Sequence, residues 1–600
     1  MIKETYVNLK DIKICFNSCN INCVTIDVSK LISKTIANSL KILKSENICI
    51  ELIYYKSNYL NTNDKLLKTY NVDEEVVVKI NIIYKNILEL SNSILALNKV
   101  LNNNNDSNNI CSSINFENLL LKNYLNNIAY KYNYNNFNIY ISNLYNSNIL
   151  KLDALTYISL STIIGAYLGD SLGSYCEFKK GHKDLFDSSY VFKQLNPIFG
   201  TSPGQLTDDS EMATCLCLSI VDNLGYFNPN RTGYYYCNWY LSNPLDIGNT
   251  TSKALGSVFK KINKSEFIYK DCLYFDTIYS NTNKCESLSN GFLMRKSPIS
   301  VYCSYFIDFN KVCLDYDIHL YIDSMEKFYQ LSAYDNFLTH GSSLTILASV
   351  LYNLLITRIT YLKFNKLITN NNMHINKDQI KDISCKTLSF ILEYINYLKD
   401  NKSYPYLNSN NYLLEIDQSK FQIKEAELDM LNKIYDLITK GSIKDYSFNS
   451  NTFYKSMGWF FHSLSACIWM LLRVSKGEDL NYIMIIKEII NLGGDTDTNA
   501  AIVGGIIGSL YGIENIPNEY LKILMNFNSI LANKTKRDFI YSPICSIILI
   551  KELSNYIYDN NIVNTKFNNN SNLIKFDSSS CYALSLIVDF VNKFKEKNNK

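Results

Sequence analysis

Gly493-Gly494-Asp495-Thr496-Asp497-Thr498-Asn499-Ala500-Ala501 opens the stretch that decides the fold, and it runs on through Gly504, Gly505, Gly508 and Gly512. Ahead of it lies an apolar helical period, Ile483, Ile486 and Ile490. Two glycines stop that helix, because glycine reaches the positive φ that a sharp reversal requires. Asp495 and Asp497 then project from a tight turn, where side chains at i and i+2 can reach one ion. The helix that follows, 498–511, carries a face of small residues, Ala501, Gly504, Gly505, Gly508 and Gly512, which lets a neighbouring helix approach closely.

A second acidic helix start lies far upstream, at Thr207-Asp208-Asp209-Ser210-Glu211-Met212. Asp208 and Glu211 have capping-box spacing, and Met212, Cys215, Leu216, Leu218, Ile220 and Leu224 keep a largely helical period until Gly225. Taken alone, either segment reads as an N-cap with a favourable dipole interaction. Taken together they offer four aspartates and several hydroxyls. Oxygens packed that closely repel one another unless a hard cation sits among them, so the pair reads as two halves of one metal site for Mg2+ or Mn2+.

Composition bounds the rest. At 600 residues and 47% hydrophobic content the chain can bury a large core, and a formal charge of +3 excludes nucleic acid as the principal partner. Met1-Ile2-Lys3-Glu4-Thr5-Tyr6 lacks a secretory signal. The longest uncharged helical run, Gly341 to Thr357, is shorter than the roughly 20 residues a bilayer span needs, so it predicts a buried helix and no membrane span. Seventeen cysteines without a CxxC pair indicate reduced thiols and a cytoplasmic protein, with the nucleus as the alternative. The spacing of Cys15, Cys19 and Cys23 reads as packing in preference to zinc binding.

All 21 glycines fall between Gly165 and Gly512, which separates the middle of the chain from both ends. Residues 1–150 alternate at Val24-Ile26-Val28, Ile48-Ile50-Leu52 and Val76-Val78-Ile80-Ile82, with a helical stretch from Leu31 to Leu43. They predict a small α/β extension, and 102–109 reads as a linker. Residues 151–530 form the core, with helices expected at 153–173, 208–224, 341–357, 456–475, 480–492 and 498–511. An insertion at about 362–450, flanked by Asn-rich patches at 370–372 and 408–411, contains an amphipathic helix (Ile391, Leu392, Ile395, Leu398) and is expected on the surface. A further Asn-rich patch, 568–572, lies in a C-terminal helical extension, 531–600.

In order along the chain stand Gly165-Ala166-Tyr167-Leu168-Gly169-Asp170, Gly173 with Glu177, Gly204 to Ala213, Pro244-Leu245-Asp246-Ile247-Gly248-Asn249-Thr250-Thr251, Ser289-Asn290-Gly291-Phe292-Leu293-Met294-Arg295 with Pro298, Leu338-Thr339-His340, Gly458-Trp459 and Asn491 to Ala501. With these blocks the chain resembles the ADP-ribosylglycohydrolase family, from about Leu155 to about Asn526. The resemblance implies an all-α orthogonal helical bundle and a hydrolase that removes ADP-ribose from a modified protein or small molecule. It also implies two Mg2+ or Mn2+ ions held by Thr207, Asp208, Asp209, Asp495, Asp497 and Thr498. Glu177 matches a glutamate that acts as acid or base, Asp209 is its rival for activating water, and Asp208 also faces substrate. Ser289, Asn290, Gly291 and Met294 match the loop that holds the diphosphate and distal ribose, with His340 nearby. Arg295 matches a residue of the same loop, where it binds substrate or supports the loop by a structural ion pair. Asp170 and Asp246 match bracing residues.

An arginine N-glycosidic linkage is the favoured bond, with a serine O-linkage as the alternative. Ser210 stands where many members have threonine, and Phe292 and Leu293 replace smaller residues, which narrows the expected pocket. The rival class is an inactive protein of the same fold that binds ADP-ribose or serves as a scaffold, recruiting a protein partner through the N-terminal extension.

Overall fold

The computed structural model describes residues 12–16, 24–26, 49–55 and 76–83, then 154–186, 199–223, 225–260, 274–306, 322–370, 375–404, 422–529, 532 and 536–559. Near the N-terminus β1 (Ile12–Phe16), β2 (Val24–Ile26), β3 (Cys49–Tyr55) and β4 (Val76–Ile83) form one sheet in the order β2-β1-β4-β3. β1 is parallel to β4, and the two outer pairs are antiparallel. Three of these strands occupy the alternating runs, whereas β1 was not anticipated. The helical stretch 31–43, the linker at 102–109 and the Asn-rich patches 408–411 and 568–572 lie outside the described residues.

The rest is all-α apart from one short strand pair. In chain order come α1 (Ala154–Gly173), β5 (Lys179–Lys180), α2 (Asp208–Asp222), α3 (Pro229–Leu241), α4 (Asn249–Gly256), α5 (Tyr274–Thr282), α6 (Ser297–Ser304), α7 (Ile322–Phe337), α8 (Ser343–Asn370), α9 (Lys377–Asn401), α10 (Glu425–Lys440), α11 (Ser450–Lys455), α12 (Phe460–Ser475), α13 (Tyr482–Asn491), β6 (Gly493–Gly494), α14 (Thr496–Tyr511), α15 (Asn518–Asn526) and α16 (Cys545–Asp559). This is the helical bundle that the resemblance implies.

Every residue of α1 and of α14 is buried, as befits helices that are apolar or small on all sides and are therefore enclosed by others. The two meet backbone to backbone. A Cβ placed on Gly165, Gly169 or Gly173 would collide with main-chain atoms of Gly504, Ala500 and Asp497 respectively. Gly165, Gly169 and Gly173, like Ala500, Gly504 and Gly508 opposite them, recur every four residues, the ridge spacing of close helix packing. The Thr496 hydroxyl donates to the Gly173 carbonyl at 2.7 Å, which fixes the register where the end of α1 meets the start of α14, and the Tyr482 hydroxyl of α13 donates to the Gly165 carbonyl.

One expectation changes: α8 continues to Asn370, well beyond Thr357, and is by length and composition able to cross a membrane, yet 94% of its most apolar window is buried inside the protein. Within 362–450, α9 buries Ile383, Ile391, Ile395 and Leu398 and α10 buries Met430, Leu431, Ile434 and Leu437 over α12, while the opposite sides of both helices are exposed. Ser343, at the start of α8, donates to the Glu427 carboxylate of α10 at 2.5 Å.

Because no side chain fits in the α1–α14 seam, Gly169→Val is expected to lose at least about 2 kcal/mol of stability, or to fail to fold, by chemical denaturation. Gly248→Ala, with nothing within 4 Å of the new methyl group, is expected to stay within about 1 kcal/mol of the parent. Equal stability of the two variants would contradict the seam.

Candidate active site

The seam places the end of α1 against the start of α14, and the acidic residues of both gather there. After α1 the chain turns through Glu177 into β5, which pairs antiparallel with β6: Lys179 opposite Gly494, and Lys180 opposite Gly493. The Phe178 amide donates to the Gly494 carbonyl at 2.7 Å. Gly493 and Gly494 both have φ of +77°, so the reversal predicted from the sequence is made by the residue type that reaches it without strain. Glu177 and the turn bearing Asp495 and Asp497 are thereby clipped together.

The start of α2 reaches the same place through Asp170. Its carboxylate accepts the Thr207 amide at 3.1 Å and the Ser210 amide at 3.2 Å, and lies 2.7 Å from the Thr207 hydroxyl. An aspartate on another helix therefore caps α2, and the capping box expected from Asp208 and Glu211 is absent. Glu211 turns away to receive a two-pronged ion pair from Arg537, with Nε to Oε1 at 2.8 Å and Nη2 to Oε2 at 2.7 Å, and a 2.8 Å hydrogen bond from the Trp239 indole.

The carboxylates converge as two triads. Oxygens of Asp170, Asp209 and Asp497 lie within 4.8 Å of one another, and so do oxygens of Glu177, Asp495 and Asp497. Asp497 belongs to both. The Thr207 hydroxyl lies 3.0 Å from Asp209 Oδ2. Asp208 belongs to neither triad, and the strongest charge acting on it is Asp246. Of the six residues matched as metal ligands, Asp209, Asp495 and Asp497 stand in the triads, Thr207 touches Asp209, Thr498 follows Asp497 in the first turn of α14, and Asp208 lies outside both triads. Asp170, matched only as a brace, both braces α2 and offers an oxygen to a triad.

Burial, then mutual repulsion, perturbs these acids. Burial first, and Asp495 and Asp208 next, push the Glu177 carboxyl up from 4.5 to about 9. Asp170 rises to about 6, chiefly by burial, and Asp208, Asp209 and Asp497 are pushed well above the usual carboxylate range by burial and by one another. Asp209 Oδ1 and Glu177 Oε2 are buried with no hydrogen-bond partner. Such a set is costly unless protonated or compensated by a cation. An all-oxygen donor set with orphaned lone pairs fits a hard divalent ion.

The loop from Ser289 borders the triads. Ser289 bridges to Trp459, the Asn290 amide donates to the Gly458 carbonyl at 2.8 Å, and the Asn290 side chain donates to Asp495 Oδ2 at 2.9 Å. Gly291 sits against Thr251 and His340. His340 is buried, bonded to Ser289 at 2.7 Å and to Thr339 at 2.8 Å. Burial, then the Arg295 and Lys296 charges, lowers its pKa to about 3, so it is a neutral ring that holds Ser289. Arg295 is fully enclosed. It donates to the Gly291 carbonyl at 3.2 Å, the Asp335 carbonyl at 2.9 Å and Thr339 at 2.8 Å, pairs with the Asp335 carboxylate and covers the Tyr236 ring. Of its two readings, this geometry gives the structural one: Arg295 supports the loop from beneath and has no free donor aimed at a substrate. Phe292, Leu293 and Met294 are buried, so the bulky pair packs into the core, away from any pocket mouth.

The sequence reading missed the β5–β6 clip, the second role of Asp170 and the Glu211–Arg537 pair. Each joins residues distant in the chain. The disproportion of five arginines among 59 basic residues was a usable signal for Arg537.

The chain belongs to the ADP-ribosylglycohydrolase family, whose profile matches residues 159–548. The match passes the limit near Asn526 read from the motifs and takes in Arg537. A protein of Acanthamoeba polyphaga mimivirus that carries the name ADP-ribosyl glycohydrolase is 27% identical over 381 residues, 61% of this chain and 90% of its own length. An ADP-ribosylarginine hydrolase of Serratia proteamaculans is 22% identical over 388 residues, 64% of this chain and 78% of its own. A solved structure named as an ADP-ribosylglycohydrolase-related protein complex aligns with a TM-score of 0.40 at 17% identity, over 68% of this chain and 99% of that one.

A carboxyl whose folded pKa is raised favours the fold while protonated, and that stabilisation is lost as pH rises through the folded value. For Glu177 the window runs from 4.5 to about 9. With chelator present, the melting temperature is expected to fall as pH rises across that window, and Mn2+ is expected to flatten the fall. A chelated protein that gains stability over the same range would refute the reading of the cluster.

Proposed function

We propose that the chain is a divalent-cation-dependent hydrolase that releases ADP-ribose from ADP-ribosylated proteins, with an arginine-linked acceptor favoured and a serine-linked or small-molecule acceptor as the alternative. The observation that carries this reading is the pair of buried carboxylate triads sharing Asp497, with unpartnered oxygens on Asp209 and Glu177. Asp170, Glu177, Asp209, Asp495 and Asp497, with the hydroxyls of Thr207 and Thr498 and with Asp208 beside them, would hold two Mg2+ or Mn2+ ions. Ions there would supply charge stabilisation and a template for sugar hydroxyls and water.

The chain's own residues do the rest. The Ser289–Gly291 segment lies beside the triads, anchored by Asn290 to Asp495 and by His340 to Ser289, and would approach an anionic diphosphate through the backbone of Gly291, where no side chain intervenes. The carboxylates put negative charge next to the sugar carbon at which an oxocarbenium-like state develops. Glu177 gives a proton to the departing acceptor atom, and Asp209 is the alternative group for orienting water. The name of the Serratia relative supports the arginine acceptor.

The test is incubation with arginine-ADP-ribosylated and serine-ADP-ribosylated peptides, with Mg2+, Mn2+ or chelator, and measurement of free ADP-ribose. Release from the arginine peptide, abolished by chelator, is expected. Asp208→Ala and Asp497→Ala are each expected to lower kcat by about 100-fold or more, the scale for groups acting at the reacting centre. Metal-independent release, or full activity in Asp497→Ala, would overturn the reading.

A further inference from the structure

Arg537 lies outside every motif of the site, yet it touches two of the elements that build it. Its residue exposure is 6%, and that of its partner Glu211 is 1%. One edge of the guanidinium grips Glu211, in the first turn of α2 and two residues from Asp209. The other edge donates to the Ser242 carbonyl at 2.8 Å, the Asn243 carbonyl at 3.1 Å and the Ser242 hydroxyl at 2.9 Å. Three residues beyond Asn243 stands Asp246, whose charge acts on Asp208, Glu177 and, in return, feels Asp495. Asn243 itself has φ of +58°, the left-handed conformation that asparagine takes more readily than other side-chain-bearing residues. The guanidinium is stacked over Tyr541 at 5.2 Å, and its own backbone amide donates to Ser529. The fork is therefore preset before it engages either element.

We propose that Arg537 is a positioning residue for the acidic site. It clamps the first turn of α2 to the 242–246 loop, so that Asp208 and Asp209 on one element and Asp246 on the other face each other at a fixed separation. The inference rests on the proposed hydrolase reading and adds a residue from the C-terminal segment to it. A lysine cannot take this place: it has one nitrogen, while the site uses three on a rigid plane to hold five acceptors.

The experiment compares the whole chain with Arg537→Lys, Asp246→Asn and the double variant, using calorimetric titration with Mn2+ and the kinetics of ADP-ribose release. Arg537→Lys is expected to weaken Mn2+ affinity and lower kcat by about 10-fold or more, the scale seen when partners of metal ligands are removed, with KM changed far less. In the double variant the two losses are expected not to multiply, because the clamp then has no Asp246 to place. Arg473→Lys, an ion pair of α12 remote from the site, is expected to leave both readouts unchanged. If Arg537→Lys does not fold, Ser242→Ala removes one acceptor of the fork, and a smaller loss of Mn2+ affinity in the same direction is expected. Parent-like Mn2+ affinity and kcat in the folded Arg537→Lys or Ser242→Ala variant, or losses that multiply freely with Asp246→Asn, would overturn the proposal. A parent protein that releases no ADP-ribose from any peptide would overturn the hydrolase reading instead, while its Mn2+ titration still decides the role of Arg537.

Discussion

The backbone contact between α1 and α14 is the constraint on which the remainder depends. Helices that carry side chains at their interface pack with axes about 8–10 Å apart, and they tolerate some sliding because side chains adjust. Here Gly165, Gly169 and Gly173 meet Gly504, Ala500 and Asp497 with no side chain between. Main-chain atoms do not adjust, so the register is fixed. That register sets the last turn of α1 against the first turn of α14. Asp170 and Glu177, which flank the end of α1, therefore arrive beside Asp495 and Asp497. A shift of one residue along either helix would rotate its face by about 100° and separate these groups.

Bringing seven acidic side chains to one place opposes folding, and the structure shows how the opposition is contained. Three devices hold these like charges together. The seam fixes α1 and α14, the β5–β6 clip fixes Glu177 to the Asp495 turn, and Asp170 fixes the start of α2 by accepting its amides. Only the last uses an acidic group, and that group lies in one of the two triads. Coupling a structural cap to a candidate ligand makes the start of α2 sensitive to whatever occupies the triad. Asp209 Oδ1 and Glu177 Oε2 stay without partners inside the cluster, and an all-oxygen set of this kind is one that a hard cation fits.

How much of this was legible in the chain follows the range of the interactions. The helix start at Asp208, the glycine reversal before Asp495 and the small-residue face of α14 are local, and they were read correctly, whereas α14 begins at Thr496, two residues before the expected 498, so that Asp497 stands in its first turn. So was the all-α class. The capping box at Asp208 and Glu211 was misread because spacing alone cannot show that a stronger partner, Arg537, arrives from 326 residues away. The helical period of Ile391, Ile395 and Leu398 showed that α9 has an apolar side, but which part of the core that side covers depends on α12, distant in the chain. α8 was cut short at Thr357 because Arg358 and Lys363 follow. Both are buried charges, at 1% and 0% exposure, and a charge in sequence ordinarily ends an apolar run.

The use of arginine carries the last step. With five arginines among 59 basic residues, this chain meets nearly every need for positive charge with lysine, and an arginine that persists marks a place where lysine fails. Arg295 braces the Ser289 loop through four separate groups, Arg473 bridges Glu478 and Glu488, and Arg231 meets Asp222 under the end of α2. Arg537 follows the same pattern, with a plane of donors spanning two elements that have no other common contact of this kind among the described residues. The family match, which runs to residue 548, takes in the segment that carries it. The boundary drawn near Asn526 from the motifs marks where recognisable spacing stops, and the physical domain continues as far as the last side chain that holds the acidic turns in place.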